Sequence, residues 1–381
     1  MFPPITTETA QLALDTINLR PTRGIPAWML HHMQHSHIER IAGAEPGAYK
    51  RDPHGVYLAA QRAQGTCFLD QYLATNPLEM DDSGVTECSS MRDTATTGAE
   101  YAVVDGMVID SPEAVVEHLE RVVFPRLREQ IAGFDEDRRV QEIIAGESEM
   151  QQKLGPGILK TGYAFVHLPG MAYSTYGYAN YFMAYALYPE VMERHFSLSA
   201  DYAVLNNRAA ARAYTEGGLP PLYRLDHDMA DSRGTLVDIR SLDRLWLPHF
   251  ARSIEPLVKA GVRLIWHCDG NLMQMVPRLL EAGVRGFQGF QYEDGMDYER
   301  ICAMKTRDGE NLFIIGGVSV TRTLPFGTPA DVRREMQFLV EKGPRTGLAL
   351  GASSSIAPGV PWENIQTLIE GIHYYRTHGR S

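Results

Sequence analysis

Short apolar runs alternate with longer amphipathic stretches along most of the chain, which is the pattern of strands separated by helices. The clearest unit is Val262-Arg263-Leu264-Ile265-Trp266-His267-Cys268-Asp269-Gly270-Asn271. It reads as a buried strand between helices over residues 241–260 and 271–282, with a polar cluster where the strand stops. Strand side chains alternate faces, so His267 and Asp269 point one way and Cys268 the other.

The same alternation can be followed from the N-terminus. Residues 7–19 carry apolar positions at helical spacing, and Arg20-Pro21-Thr22-Arg23-Gly24 ends that helix. A first strand over 25–29 feeds His31-His32-Met33-Gln34-His35-Ser36-His37, either an acid-base or metal site at a strand end or a solvated helix start. A helix within 52–78 leads to Cys67-Phe68-Leu69-Asp70, which makes Asp70 a candidate pocket residue. Residues 88–110 are threonine-rich, and Asp105-Gly106 between short apolar runs predicts a β-hairpin over 101–109. Helices follow over 111–131, capped by Ser111 with Pro112 in its first turn, and over 135–152.

Residues 162–167 read as a strand. The following stretch, 168–187, contains Tyr173, Tyr176, Tyr178, Tyr181, Phe182 and Tyr185, either a wall for a ring-bearing substrate or helix packing with hydroxyls at the rim. A long helix over 189–216 ends at Gly217-Gly218. Strands are then predicted over 222–225, 262–266, 286–291, 311–317 and 348–355, and helices from Thr328 and over 361–378. Each strand runs into polar or glycine-rich residues. The expected fold is one α/β domain over 1–381, a (β/α)₈ barrel with an N-terminal helical extension and a hairpin insertion.

Composition narrows the function. Hydrophobic residues make up 44% and charged residues 22% of the chain, ordinary for a globular protein, and a net charge of −11 disfavours a nucleic-acid surface. A small-molecule substrate fits better. The N-terminus lacks the form of a secretory leader and no stretch suits a membrane span, so a cytoplasmic location is the expectation. Cys67, Cys88, Cys268 and Cys302 form no CxxC pair and suggest reduced thiols.

No GxGxxG follows the first strand, and no Walker loop, GxSxG elbow or HExxH helix is present. What stands out is acid and imidazole at strand ends. Asp226-His227-Asp228-Met229-Ala230-Asp231-Ser232-Arg233-Gly234 follows one strand, and its ionisable run Asp226, His227, Asp228, Asp231 and Arg233 is either a set of pocket residues, Asp228 and Arg233 foremost, or a solvated loop. His267 and Asp269 follow the next strand, and Glu293 the one after. His267, Asp269 and Glu293 make a ligand set suited to zinc or another divalent ion. The same residues could instead form an acid-base pair, or a polar network that shapes the pocket.

These segments resemble the uroporphyrinogen decarboxylase superfamily, which also contains cobalamin-linked methyltransferases and resembles the cobalamin-independent methionine synthase barrel. The similarity lies in 228–234, His267-Cys268-Asp269-Gly270-Asn271, Gly316-Gly317-Val318, Gly327-Thr328-Pro329, Pro361-Trp362-Glu363-Asn364-Ile365 and the middle section 170–189. It implies a barrel with its cleft at the C-terminal strand ends, often dimeric. Substrate contacts would come from Tyr173, Tyr176, Tyr178, His31, Asp70 and Ser354. The family's arginine-rich N-terminal signature is missing from Pro26-Ala27-Trp28-Met29-Leu30-His31-His32-Met33-Gln34, so porphyrinogen is not the expected substrate. In the thiol-alkylating members zinc is held by a His-x-Cys pair and a distant cysteine. Here His267 matches, while Asp269 and Ser354 stand where the cysteines would be. Carboxylate in place of thiolate leaves a harder, more electrophilic ion. The implied reaction is demethylation of a methoxylated or N-methylated small molecule, with a corrinoid carried by a partner protein. The alternative is decarboxylation of a carboxylated ring compound.

Overall fold

In a computed structural model, which describes residues 2–75 and 102–380, eight parallel strands form one sheet. They are β1 (Ala27–Trp28), β2 (Thr66–Leu69), β3 (Leu159–Lys160), β4 (Leu222–Asp226), β5 (Arg263–His267), β6 (Gly286–Gln288), β7 (Phe313–Val318) and β8 (Leu348–Ala352). Their spatial order is β3-β2-β1-β8-β7-β6-β5-β4. The two ends meet at a parallel bridge between Gly162 and Tyr223: the Gly162 amide donates to the Leu222 carbonyl at 3.0 Å. That contact joins the sheet ends, giving the (β/α)₈ barrel the alternation predicts.

Helices occupy every interval, among them Pro53–Ala63, Glu136–Leu154, Pro189–Gly217, Leu247–Lys259, Val276–Ala282, Tyr298–Ala303 and Pro329–Lys342, and Trp362–His378 follows β8. Every residue of β2, β5, β7 and β8 is buried, because helices cover the outside while side chains fill the inside. The N-terminal helix Glu8–Ile17, capped by Thr7, lies at the start of β5, where Arg263 Nε donates to the Ile17 carbonyl at 2.9 Å. The helical extension therefore sits at the strands' N-terminal end, leaving the opposite end for chemistry.

Several predicted boundaries move. The third strand lies at 159–160 rather than 162–167. Beyond Gly162 the chain turns at Ala164 (φ 66°), and the Phe165 and Val166 amides donate to the Tyr223 hydroxyl, so these apolar residues pack as a loop. The helix predicted over 241–260 divides into Ile239–Leu245 and Leu247–Lys259, because Pro248 opens the second segment without an amide to donate. The helix predicted from 271 begins at Val276, after a turn in which Asn271 Oδ1 accepts from the Met273 amide. The hairpin is present as Ala102–Val104 paired with Met107–Ile109. Its turn residues Asp105 (φ 49°) and Gly106 (φ 79°) are both left-handed, as a type I′ turn requires. Tyr101, Cys88 and the rest of the threonine-rich stretch up to 101 lie outside the described residues. Among the described residues no helix is long and apolar enough to cross a membrane.

Candidate active site

The site forms where β4, β5 and β6 end. Asp226, His267 and Gln288 are register partners across these neighbouring strands, so all three side chains occupy the same level of the barrel. All three line a cleft of about 260 Å³, together with Trp28, Met29, His31, Met33, Leu73, Arg224 and Ser354. Gly289 (φ 82°) lets His267 stand here, since a Cβ at that position would lie 2.5 Å from His267 Nδ1. Gly270 (φ 85°) has a similar role one turn on, where a Cβ would meet the Asp231 backbone.

His267 and Asp269 come together as their alternation predicts, with Nε2 and Oδ1 4.0 Å apart, longer than a hydrogen bond. The Asp269 amide donates to Oδ1 of Asp228 at 3.0 Å, binding the loop after β4 to the loop after β5. Asp228, His267 and Asp269 each offer one ligand atom, and these atoms lie within 4.8 Å of one another. Neither His267 Nδ1 nor Asp269 Oδ1 has a hydrogen-bond partner among the described residues. Burial pushes the Asp269 carboxyl upward; His267 opposes that shift, and the Asp228 and Asp226 charges add to it. The donors of a tetrahedral zinc site stand about 3.3 Å apart. One imidazole and two carboxylates would have to draw inward by up to about 1.5 Å to bind a divalent ion, and their chemistry fits one.

Glu293 does not join this group. It lies on the turn Tyr292–Asp294, where its carboxylate accepts from Ser319 Oγ at 2.9 Å and from the Thr321 hydroxyl. The carboxylate beside the His267–Asp269 pair is therefore Asp228. Arg233 is also elsewhere: its exposed guanidinium pairs with Asp231 at 2.7 Å inside the small hairpin Ala230–Asp231/Gly234–Thr235. With Tyr178 it lines a separate groove.

The tyrosines divide. The Tyr173 hydroxyl donates to the Asp228 carbonyl at 2.8 Å, tying the aromatic segment to the site. Tyr178 packs at a tilt against Tyr173 but faces the separate groove. Tyr176 is buried against His118 Nδ1 at 2.8 Å and supports the core. On the cleft's other side His31 Nδ1 lies 2.9 Å from Ser355 Oγ, beside Ser354, and burial pushes the His31 imidazole down to about 4. Cys268 points away, as alternation requires. Its thiol accepts from the Met229 amide, and burial raises its pKa to about 12.

Asp70 is buried at the end of β2. It accepts from Trp28 Nε1 at 2.9 Å and is ion-paired with Arg224. Burial alone would raise its carboxyl, but the guanidinium overrides this and holds it below the ordinary range. Arg224 also donates to Asp226 at 2.8 Å, and Asp226 accepts from the Tyr163 hydroxyl at 2.9 Å. Asp226 is among the pocket candidates of its strand-end run, whereas Trp28, Tyr163, Arg224 and Gln288 are site residues that the sequence does not single out. An arginine inside a strand two residues before an acidic end was the available signal.

The geometry describes a (β/α)₈ barrel enzyme site at the C-terminal strand ends, where barrel chemistry resides. The uroporphyrinogen decarboxylase (URO-D) family model matches residues 174–375, and the chain belongs to that family. Among solved structures, a methyltransferase from Methanosarcina mazei has the same fold, with a TM-score of 0.53 over 96% of this chain and 98% of that chain at 16% sequence identity. No curated protein sequence matches the chain.

Proposed function

We propose that this protein removes a methyl group from a methoxylated or N-methylated small molecule. One observation carries the reading: an Asp228–His267–Asp269 donor cluster borders a cleft whose single described arginine is already neutralised by Asp70 and Asp226. A carboxylated ring would need an uncommitted cation, because carboxylates are held by charge-assisted donors. Arg224 has none to spare, which weighs against the decarboxylase alternative.

In this reading Asp228, His267 and Asp269 hold a divalent ion such as zinc. Bound there, the ion supplies Lewis-acid polarisation of the oxygen or nitrogen from which the methyl departs. The methyl acceptor is a reduced corrinoid carried by a partner protein. The C–O or C–N electron pair stays on the heteroatom. The cleft orients the substrate, with Met29, Met33 and Leu73 supplying apolar contact. An acid-base version without metal uses the Asp269 carboxyl, raised by burial, as the proton donor to the departing heteroatom.

The test combines elemental analysis with turnover. Protein prepared without added metal should carry close to one equivalent of zinc or a similar ion, and His267→Ala should lose it. With cob(I)alamin as acceptor, methylcobalamin should appear from a panel of methoxylated and N-methylated compounds. Carbon dioxide released from a carboxylated ring compound, with no methylcobalamin from any donor, would replace this reading with the alternative.

A further inference from the structure

Two polar atoms of the cleft outside the proposed metal cluster lack a partner among the described residues, His31 Nε2 and Gln288 Oε1, and Gln288 is the more deeply enclosed. Gln288 is 2% exposed, and its Nε2 donates to the Ser353 carbonyl at 3.0 Å. That bond fixes which end of the amide faces the main chain. Oε1 has no donor among the described residues, yet the side chain lines the cleft. A buried acceptor without a donor costs about 1–3 kcal/mol, so its partner is expected to arrive with a ligand.

The charge of the cleft specifies that partner further. Around it stand four carboxylates, Asp70, Asp226, Asp228 and Asp269, against one guanidinium, Arg224. A divalent ion on Asp228 and Asp269 would cancel two of the negative charges. The remaining Asp70–Arg224–Asp226 group would still be negative overall, so the sign does not depend on whether a metal is bound. Met29, Met33 and Leu73 border the same space and suit methyl groups.

We propose that the cleft binds an N-methylated ammonium ion bearing an N–H donor, with Gln288 Oε1 accepting the hydrogen bond from that N–H and the Asp226 carboxylate offsetting its charge. The N-methyl group rests on the methyl-transfer reading above, and the positive charge on the cleft itself. A methoxylated neutral ring would leave the Gln288 acceptor empty, and a carboxylate would be repelled.

Calorimetric titration of the full-length protein, without corrinoid, tests this with three probes of nearly equal shape. They are dimethylethanolamine, which is protonated near neutral pH, its neutral isostere isoamyl alcohol, and the anion isovalerate. The ammonium should bind at least about tenfold more tightly than the alcohol, the effect of one charge-assisted hydrogen bond, and isovalerate weakest. Gln288→Met and Asp226→Asn, checked for folding by circular dichroism, should each reduce that preference, and added salt should weaken ammonium binding to the unmodified protein. Equal binding of alcohol and ammonium, or tighter binding of isovalerate, would overturn the proposal. Ammonium binding with no methyl passed to cob(I)alamin would support the cation site and overturn the methyl-transfer reading. Methoxyarene turnover without ammonium binding would do the reverse.

Discussion

The backbone amide of Asp269 donates to the carboxylate of Asp228 at 3.0 Å, so one acidic side chain positions the segment that bears the other. Asp228 therefore has two separable roles, acceptor and charge. Asp228→Asn keeps an acceptor oxygen and should leave folding stability within about 0.5 kcal/mol, whereas Asp228→Ala should cost about 1 kcal/mol, because the Asp269 amide is only partly replaced by water. Both variants should lose bound metal. Glu293→Gln should keep it, since Glu293 is occupied by Ser319 and Thr321. Urea denaturation and elemental analysis of the three proteins check this, and metal retained in Asp228→Ala but lost in Glu293→Gln would reverse the assignment.

Arg224 and Asp70 are both nearly inaccessible, so breaking their pair leaves a buried charge. Arg224→Ala should destabilise the protein by about 3–5 kcal/mol, and adding Asp70→Leu to Arg224→Met should recover part of that loss. The pH dependence follows the carboxyl's direction. Asp70 is held below its unfolded value, so its contribution is complete above about pH 4, the ordinary aspartate value, and declines as pH falls through the depressed one. The Asp70→Asn variant should show a smaller loss of stability in that acidic range than the unmodified protein.

Buried histidines give an effect at higher pH. Burial lowers His31 and His195 to about 4 and His32 to about 3, from an ordinary value near 6.5. In these groups the unfolded chain binds more protons than the folded one between about pH 4 and 6.5, so stability rises with pH across that window. Each should contribute up to about 1.4 kcal/mol per pH unit at its steepest. Replacing His195, which lies in the long helix Pro189–Gly217 rather than at the cleft, by Asn should flatten the profile between those limits. An unchanged slope would show that His195 is charged when folded.

Thiol labelling reports the orientation of Cys268. Burial raises Cys268 to about 12 and Cys67 to about 11, so neither supplies much thiolate near pH 8. Iodoacetamide at about pH 8 should leave both unlabelled in folded protein and modify them in urea, as read by peptide mass spectrometry. Rapid labelling of Cys268 without denaturant would mean that its thiol faces the site.

The chain's hydrophobic periodicity determines much of the barrel. The run 262–266 can only be a buried strand once helices flank it, and strand alternation then pairs His267 with Asp269 and turns Cys268 away. Those statements depend on neighbours in sequence. The rest of the site depends on where chains leave the sheet. The sequence reading extends the sixth strand to 291 and brings Glu293 toward His267, but β6 stops at Gln288, and the chain turns through Gly289 toward Ser319. Apolar content does not mark that exit, so the third carboxylate is Asp228, supplied by the adjacent strand. The pairing of Arg224 with Asp70 spans 154 positions. Only barrel closure, which aims residues of β1, β2 and β4 into one interior, turns two isolated charges into a neutralised pair and leaves the cleft negative.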